Sequence, residues 1–250
     1  MTTQERIVER IDLVQSIFRD VSGLPLEENY EALVQRLEQC NSEFVSLAYE
    51  AASYKIAVGC VGKDLAVWSD FLNNYAKKHS VQVHIGLGWA VARKGFPLLE
   101  LGEHVDRSNI RYVADGCGFF YGIFKKIVAL EKKKQHRDLD EYSCFFDEGL
   151  GRSLWYSTEG NLSDIENIIG SFDKDRQADI WRGIGIAFTY VGGFDIDTIS
   201  ALKNHSGQFI DQVKIGVSSV AKTRLTAGTV NEYTKLVCQE VCGFLVEELA

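Results

Sequence analysis

The chain has 250 residues, 46% of them hydrophobic and 25% charged, a balance that gives a globular protein enough apolar surface for a sizeable core. Its net charge of −8 argues against nucleic acid and anionic membranes as default partners, because both reward clustered Lys and Arg. No run approaches the roughly 18 apolar residues of a membrane span, and Met1–Arg6 lacks the apolar core of a signal peptide. Six cysteines without a Cys-x-x-Cys pair read as buried small apolar residues, which fits a reducing cytoplasm.

Apolar side chains at Ile7, Ile11, Val14, Ile17 and Phe18 predict a helix over residues 4–20, broken at Leu24-Pro25-Leu26. Helices are then expected from Tyr30 to Leu37, from Phe44 to Val58 and from Leu65 to Ala76. Another runs from His84 to Arg93, stopped by Gly95-Phe96-Pro97, with a partner from Leu98 to Val105. Residues 112–134 read as one longer helical stretch. Its basic tail, residues 131–137, reads as a solvated helix end whose charge complements the macrodipole. A helix over Tyr142–Thr158 leads to a turn at Glu159-Gly160-Asn161. Ser163-x-x-Glu166 has the form of a capping box starting the next helix. Helices over Asp179–Val191, Ile196–Lys203, Phe209–Ala227 and Asn231–Leu249 complete the chain. Two prolines in the whole sequence and no hairpin signal support an all-α fold.

A repeat organises these helices. Gly86, Gly116, Gly149, Gly183 and Gly216 are separated by 30, 33, 34 and 33 residues. Four of them open a Gly-x-Gly: Gly86-Leu-Gly88, Gly116-Cys-Gly118, Gly149-Leu-Gly151 and Gly183-Ile-Gly185. A step of 34 back from Gly86 reaches Ala52, a degenerate further copy. A mid-helix glycine costs about 1 kcal/mol against alanine, so its recurrence points to helices that approach too closely for a side chain. No strand precedes these glycines, so they are not dinucleotide-binding fingerprints. Trp181-x-x-Ile184-Gly185-x-x-Phe188 resembles the first helix of a tetratricopeptide repeat. The expectation is a tetratricopeptide-like right-handed solenoid of about six helix pairs over residues 43–250, capped by helices in residues 1–42. Such an array does not close on itself and leaves a long concave surface.

Three blocks carry a second resemblance: His84-Ile-Gly-Leu-Gly-Trp-Ala90, Asp147-Glu-Gly-Leu-Gly-Arg-Ser-Leu-Trp155, and Asp179-Ile-Trp-Arg-Gly-Ile-Gly-Ile-Ala187 with Tyr190-Val-Gly-Gly193. With Ala221-x-x-Arg224-x-x-Ala227-Gly228 and Cys242-Gly243 they resemble the enediyne biosynthesis proteins encoded beside enediyne polyketide synthases. The likeness spans residues 80–243. It implies a role in secondary metabolism on a polyene or acyl ligand, with a polyketide synthase as a candidate partner. It implies no cofactor and leaves open whether there is catalysis. That family tends to carry histidines where this chain has Phe120, Lys125 and Tyr233.

Setting the second glycine of each pair at the helix contact gives a register for the concave face. It holds Trp89, Arg93, Asp115, Glu148, Arg152, Trp155, Tyr156, Arg182, Tyr190 and Lys222. An error of one residue rotates the set by about 100°. Asp115, Glu148, Arg152 and His84 are the candidate catalytic groups. Arg152 lies in an apolar run and needs a partner, for which Asp115, Glu148 and Asp179 are available. His84 would begin its helix, where the macrodipole lowers its proton affinity and suits acid–base work. Trp89, Arg93, Trp155, Tyr156, Arg182 and Tyr190 are the candidate ligand-binding groups, aromatics for contact area and arginines for a carboxylate or phosphate. Asp147 reads as a helix N-terminal cap, and Asp179 and Trp181 as residues that cap and pack the helix they begin. The histidines show no metal-ligand spacing, so no metal is expected. A non-catalytic interaction scaffold is the alternative reading, and cyclisation of some other small molecule a third.

Overall fold

The computed structural model describes residues 1–25, 30–101, 104–124 and 140–249, and among them every regular element is helical. The elements are α1 (Thr3–Gly23), α2 (Tyr30–Glu38), α3 (Val45–Cys60), α4 (Ala66–Tyr75), α5 (Ser80–Lys94) and α6 (Ile110–Phe124). They continue as α7 (Ser143–Ser157), α8 (Leu162–Gly170), α9 (Lys174–Val191), α10 (Ile196–Ser206), α11 (Ile210–Ala227) and α12 (Glu232–Val237). The basic run at 131–137 and Lys125 lie outside the described residues.

Several expected boundaries move. Between α5 and α6 the described chain has a 3₁₀ turn, Leu98–Leu101, in place of a full partner helix. α8 is capped by Asn161, whose side chain accepts from the Ser163 and Asp164 amides. The expected box fails because Glu166 instead meets the His205 ring at 2.6 Å. α9 begins at Lys174, so Asp179 and Trp181 lie inside it and do not open it. The segment after Asn231 breaks at a π-helical turn, Cys238–Cys242, with Gly243 in the left-handed region at φ 76°.

The long helices α3, α5, α6, α7, α9 and α11 pack on one another in chain order, and the shorter elements between them make fewer contacts. The glycines explain this. The first glycine of each helix faces the helix before it: a Cβ on Gly86, Gly116, Gly149, Gly183 or Gly216 would overlap the carbonyl of Glu50, Ile85, Asp115, Glu148 or Arg182. The second faces the helix after it: Gly88, Gly118, Gly151 and Gly185 abut the carbonyls of Val113, Phe146, Ile180 and Val213. Backbone therefore meets backbone on both sides of each middle helix. The degenerate copy also becomes readable. Ser53 Oγ donates to the Val83 carbonyl at 2.6 Å, taking the place of a second glycine, so Ala51 rather than Ala52 is the first.

The array does not stay open. Arg224 near the end of α11 donates to the carbonyls of Glu43 (2.9 Å), Tyr190 (2.9 Å) and Thr229 (2.7 Å), and Phe44 meets Tyr190 at 5.8 Å between ring centres. The last two long helices thus reach the start of the first, and α11 also packs against Lys77–His79. α1 is not confined to one end of the array. It packs on both α3 and α9, where the Arg6 and Arg10 side chains donate to the Gly193 and Val191 carbonyls. Ile7, Ile11, Val14 and Ile17 are the buried stripe that the periodicity predicts.

Candidate functional site

At about 100° per residue, two glycines spaced i and i+2 lie about 200° apart on a helix. With neighbours on both, the narrower arc between them is the concave side. It holds the residue before the first glycine and the residue three after it. The pre-glycine residues are Glu50, Ile85, Asp115, Glu148, Arg182 and Ile215, and all of them line one cavity of about 490 Å³. That volume lies within the usual range of ligand pockets.

The positions three after the first glycine divide the floor. On α3, α5 and α6 they are Tyr54, Trp89 and Phe119, which form a continuous aromatic layer, and Phe18 of α1 stacks on Trp89 at 4.6 Å. On α7, α9 and α11 they are Arg152, Ile186 and Ser219, which line the cavity. The concave face is filled on one side by aromatic rings and left hollow on the other.

Three carboxylates sit in the hollow. Asp115 is 3% exposed and pairs through Oδ1 with Arg152 Nη1, while Oδ2 is buried without a protein partner. Glu148 pairs with Arg182 Nε, and Arg182 also meets Asp179 at 2.8 Å. Glu50 is 3% exposed. Burial pushes its carboxyl up to about 7, against the pull of Arg152 and the Trp89 indole; the Asp115 charge adds to the rise. Burial and the Asp115 charge bring Glu148 to about 7 as well, although Arg182 favours its ionised form. Burial also raises Asp115, with Arg152 opposing. Arg152 lies over the Phe119 ring at 4.8 Å and stays protonated: burial works against its charge, but Asp115 and Glu50 prevail. Two further polar atoms in the lining, Gln82 Oε1 and Tyr190 OH, are buried without a protein partner.

The structure brings Asp115, Glu148, Arg152, Arg182, Tyr190 and Lys222 to this cavity. Tyr156 stands behind them, its hydroxyl raised by burial and lowered by Arg152. Trp89 lies in the aromatic layer rather than the lining. Trp155 is fully buried against Phe188 at 5.3 Å and is not part of the lining. Arg93 bonds the Tyr54 hydroxyl beside a separate depression with Phe120 and Phe124. His84 is also elsewhere. It sits in the second turn of α5, on the face opposite the cavity, edge-on to Trp68 at 5.3 Å, and its Nδ1 donates to the Ser80 carbonyl at 2.7 Å. The macrodipole argument for it fails because α5 starts four residues earlier; burial is what lowers its proton affinity. Asp147 pairs with Arg176 at 2.9 and 2.5 Å instead of capping its helix. Of the positions where the resembled family tends to carry histidine, Phe120 packs on Trp89 and Tyr233 on Phe194, both away from the lining.

Sequence reasoning missed Glu50 and Gln82. The step of 34 residues placed the first copy one residue late, which turned Glu50 away from the concave face. The pairing of Gly-x-Gly with Ala51-x-Ser53 was the signal that could have corrected it.

No group of His, Cys, Asp and Glu among the described residues has a metal-binding arrangement, and no described helix is long and apolar enough to cross a membrane. No curated protein and no solved structure matches the chain. A single family model covers residues 2–250, and by that match the chain belongs to the family described as "Protein of unknown function (DUF1702)".

Proposed function

We propose that the chain binds a small, elongated organic molecule in the central cavity and carries out proton transfer on it. The observation that carries this reading is the convergence of the pre-glycine residues of successive repeats on one hollow, where charged side chains occupy a floor otherwise built to be apolar. Uncompensated buried charges are costly, so such a set is retained either as a closed ion network or as a ligand site. An Asp115 oxygen left without a protein partner, on a residue of the cavity lining, favours the ligand site. A peptide-binding scaffold would present its concave face along the whole array, whereas the aromatic layer and Phe18 of α1 fill one side of this one.

Two carboxyls near neutrality, Glu50 and Glu148, each exchange a proton readily at physiological pH, while Asp115 is anchored by Arg152. A general acid works best with a pKa near the working pH. The chemistry is delivery of a proton to one atom of an unsaturated ligand and its removal from another, as isomerisation or cyclisation requires. The resemblance to enediyne biosynthesis proteins makes a polyketide-derived polyene the substrate class, and a polyketide synthase the source of it. The array itself we take as a tetratricopeptide-like solenoid curled on its concave side.

The test uses purified protein and a conjugated polyene. Binding is followed by fluorescence and product by mass spectrometry. Glu50→Gln and Glu148→Gln are expected to keep binding and lose turnover. Arg152→Met, with folding checked by circular dichroism, is expected to lose both. Full activity in a folded Arg152→Met protein refutes the assignment.

A further inference from the structure

Deep in the cavity the charges are mixed, with Arg152 and Arg182 paired to Asp115 and Glu148, and at its mouth they are of one sign. The carboxylates Glu50, Asp115 and Glu148 lie at the bottom; Glu50 and Asp115 are buried, and the Glu148 side chain is 15% exposed. The exposed charged residues of the lining are Lys77, Lys78, Arg111 and Lys222, all cationic. They come from three different places, the turn before α5, the start of α6 and the second half of α11. Only the curl of the array brings them to one rim. In a chain of net charge −8, a rim of one positive sign runs against the average.

These cations are not consumed by the protein. Among the described residues Lys77 and Lys222 have no ion pair. Lys78 meets Glu38 at 3.5 Å between two exposed side chains. Arg111 donates to Tyr112 OH at 2.8 Å and lies over its ring, which leaves its charge unneutralised. The lining also has apolar side chains, Ile85, Ile186, Ile215 and Val220, beside these charges.

We infer that the rim holds the anionic end of the ligand, a carboxylate or a phosphate, while the apolar side chains of the lining take its chain and the buried acids meet its far end. The ligand is therefore a charged-headed, apolar-tailed molecule that enters tail first. The inference rests on the small-molecule reading of the same cavity. Its physical basis is that exposed cations attract an anion over roughly 8 Å at physiological salt, whereas a neutral ligand gains nothing from them. On the floor Arg152 and Arg182 are already engaged by Asp115 and Glu148, so the positive charge left free for an anion is at the rim, which fixes the direction of entry.

The experiment compares cis-parinaric acid, a fluorescent conjugated tetraene acid, with its methyl ester. A second pair, farnesyl phosphate and farnesol, reads the phosphate alternative by competition. The charged member of at least one pair is expected to bind on the order of tenfold tighter, the size that a few exposed charge contacts supply. Added salt should narrow the gap. The double variant Lys77→Gln/Lys222→Gln, which leaves Lys78 and Arg111 in place, should reduce it without weakening the neutral ligand, and both side chains are exposed, so folding is not at risk. Equal binding of charged and neutral members in both pairs overturns the inference, as does a gap that is undiminished in the double variant. Ile186→Trp, which fills the hollow, separates this outcome from failure of the cavity reading. If it removes binding of acid and ester alike, the cavity holds the ligand whatever the head group. If ester binding persists in it, or if no probe binds wild type, both readings fall.

Discussion

Adding one methyl group at Gly151 should destabilise the protein, while the same change at Gly59 should stabilise it. Both glycines lie inside long helices, α7 and α3, and neither has a positive φ. Alanine is about 1 kcal/mol better than glycine in a helix interior, so propensity favours both substitutions, less at Gly59, which is next to the last residue of α3. Their surroundings differ. A Cβ on Gly59 meets nothing within 4 Å. A Cβ on Gly151 overlaps the Ile180 carbonyl oxygen and lies 2.8 Å from its carbon and 3.0 Å from Ile180 Cα. Ordinary carbon contacts are about 3.5–4.0 Å, so α7 and α9 must separate by about 1 Å. The obstacle is backbone, which cannot rotate aside. Overpacking of this kind costs about 1–3 kcal/mol or more, and the propensity gain offsets only part of it. For a chain of this size each kcal/mol moves the thermal midpoint by about 2–4 °C. Thermal unfolding by circular dichroism should show Gly59→Ala at or above wild type and Gly151→Ala several degrees below. Equal shifts, or a Gly151→Ala midpoint above wild type, would refute close backbone approach as the reason for the glycines.

The buried acids give stability a pH dependence of definite sign. The Glu50 carboxyl is raised from 4.5 to about 7 in the fold, so its contribution is complete below the unfolded value and is lost as pH rises to about 7. The loss is at most about 3 kcal/mol. Glu50→Gln should therefore be more stable than wild type at pH 8 and equal to it at pH 4; melting curves across that range check this, and a constant difference at all pH values contradicts it. Arg152→Met leaves Asp115 buried without its cation, which typically costs about 3–5 kcal/mol. The double variant Arg152→Met/Asp115→Asn should recover most of that loss, and no recovery would remove the pair as the cause. Arg224→Met removes the donor to the Glu43, Tyr190 and Thr229 carbonyls, each such bond to a charged group being worth about 1.5–3 kcal/mol. Hydrogen exchange should then accelerate at the start of α3 and the end of α9 before it does in α6 and α7. Unchanged exchange there would mean that Arg224 does not hold the curl closed.

The periodic glycines determine much of this protein without coordinates. Their spacing predicts an array of long helices, and the energetic cost of mid-helix glycine predicts backbone contact, which Gly86, Gly118 and Gly183 all make. The repeat places Asp115, Glu148 and Arg182 at equivalent positions, because a helix returns the same angle at the same step. Local signals suffice there, since helical phase and packing glycines are both short-range properties. Tertiary structure decided the rest. His84 and Arg93 share a helix with cavity-lining residues, yet His84 is turned about 100° from Ile85 and Arg93 lies about two turns beyond it, so both reach other surfaces. Glu50 depended on a one-residue phase that Ala51-x-Ser53 signals only faintly in the sequence and that contact with α5 fixes. The arrival of Lys222 opposite Lys77, and the clasp of Arg224 on Glu43, depend on small inter-helix angles accumulating over successive helices. No local sequence pattern encodes that sum, and it is the sum that turns a concave face into a hollow.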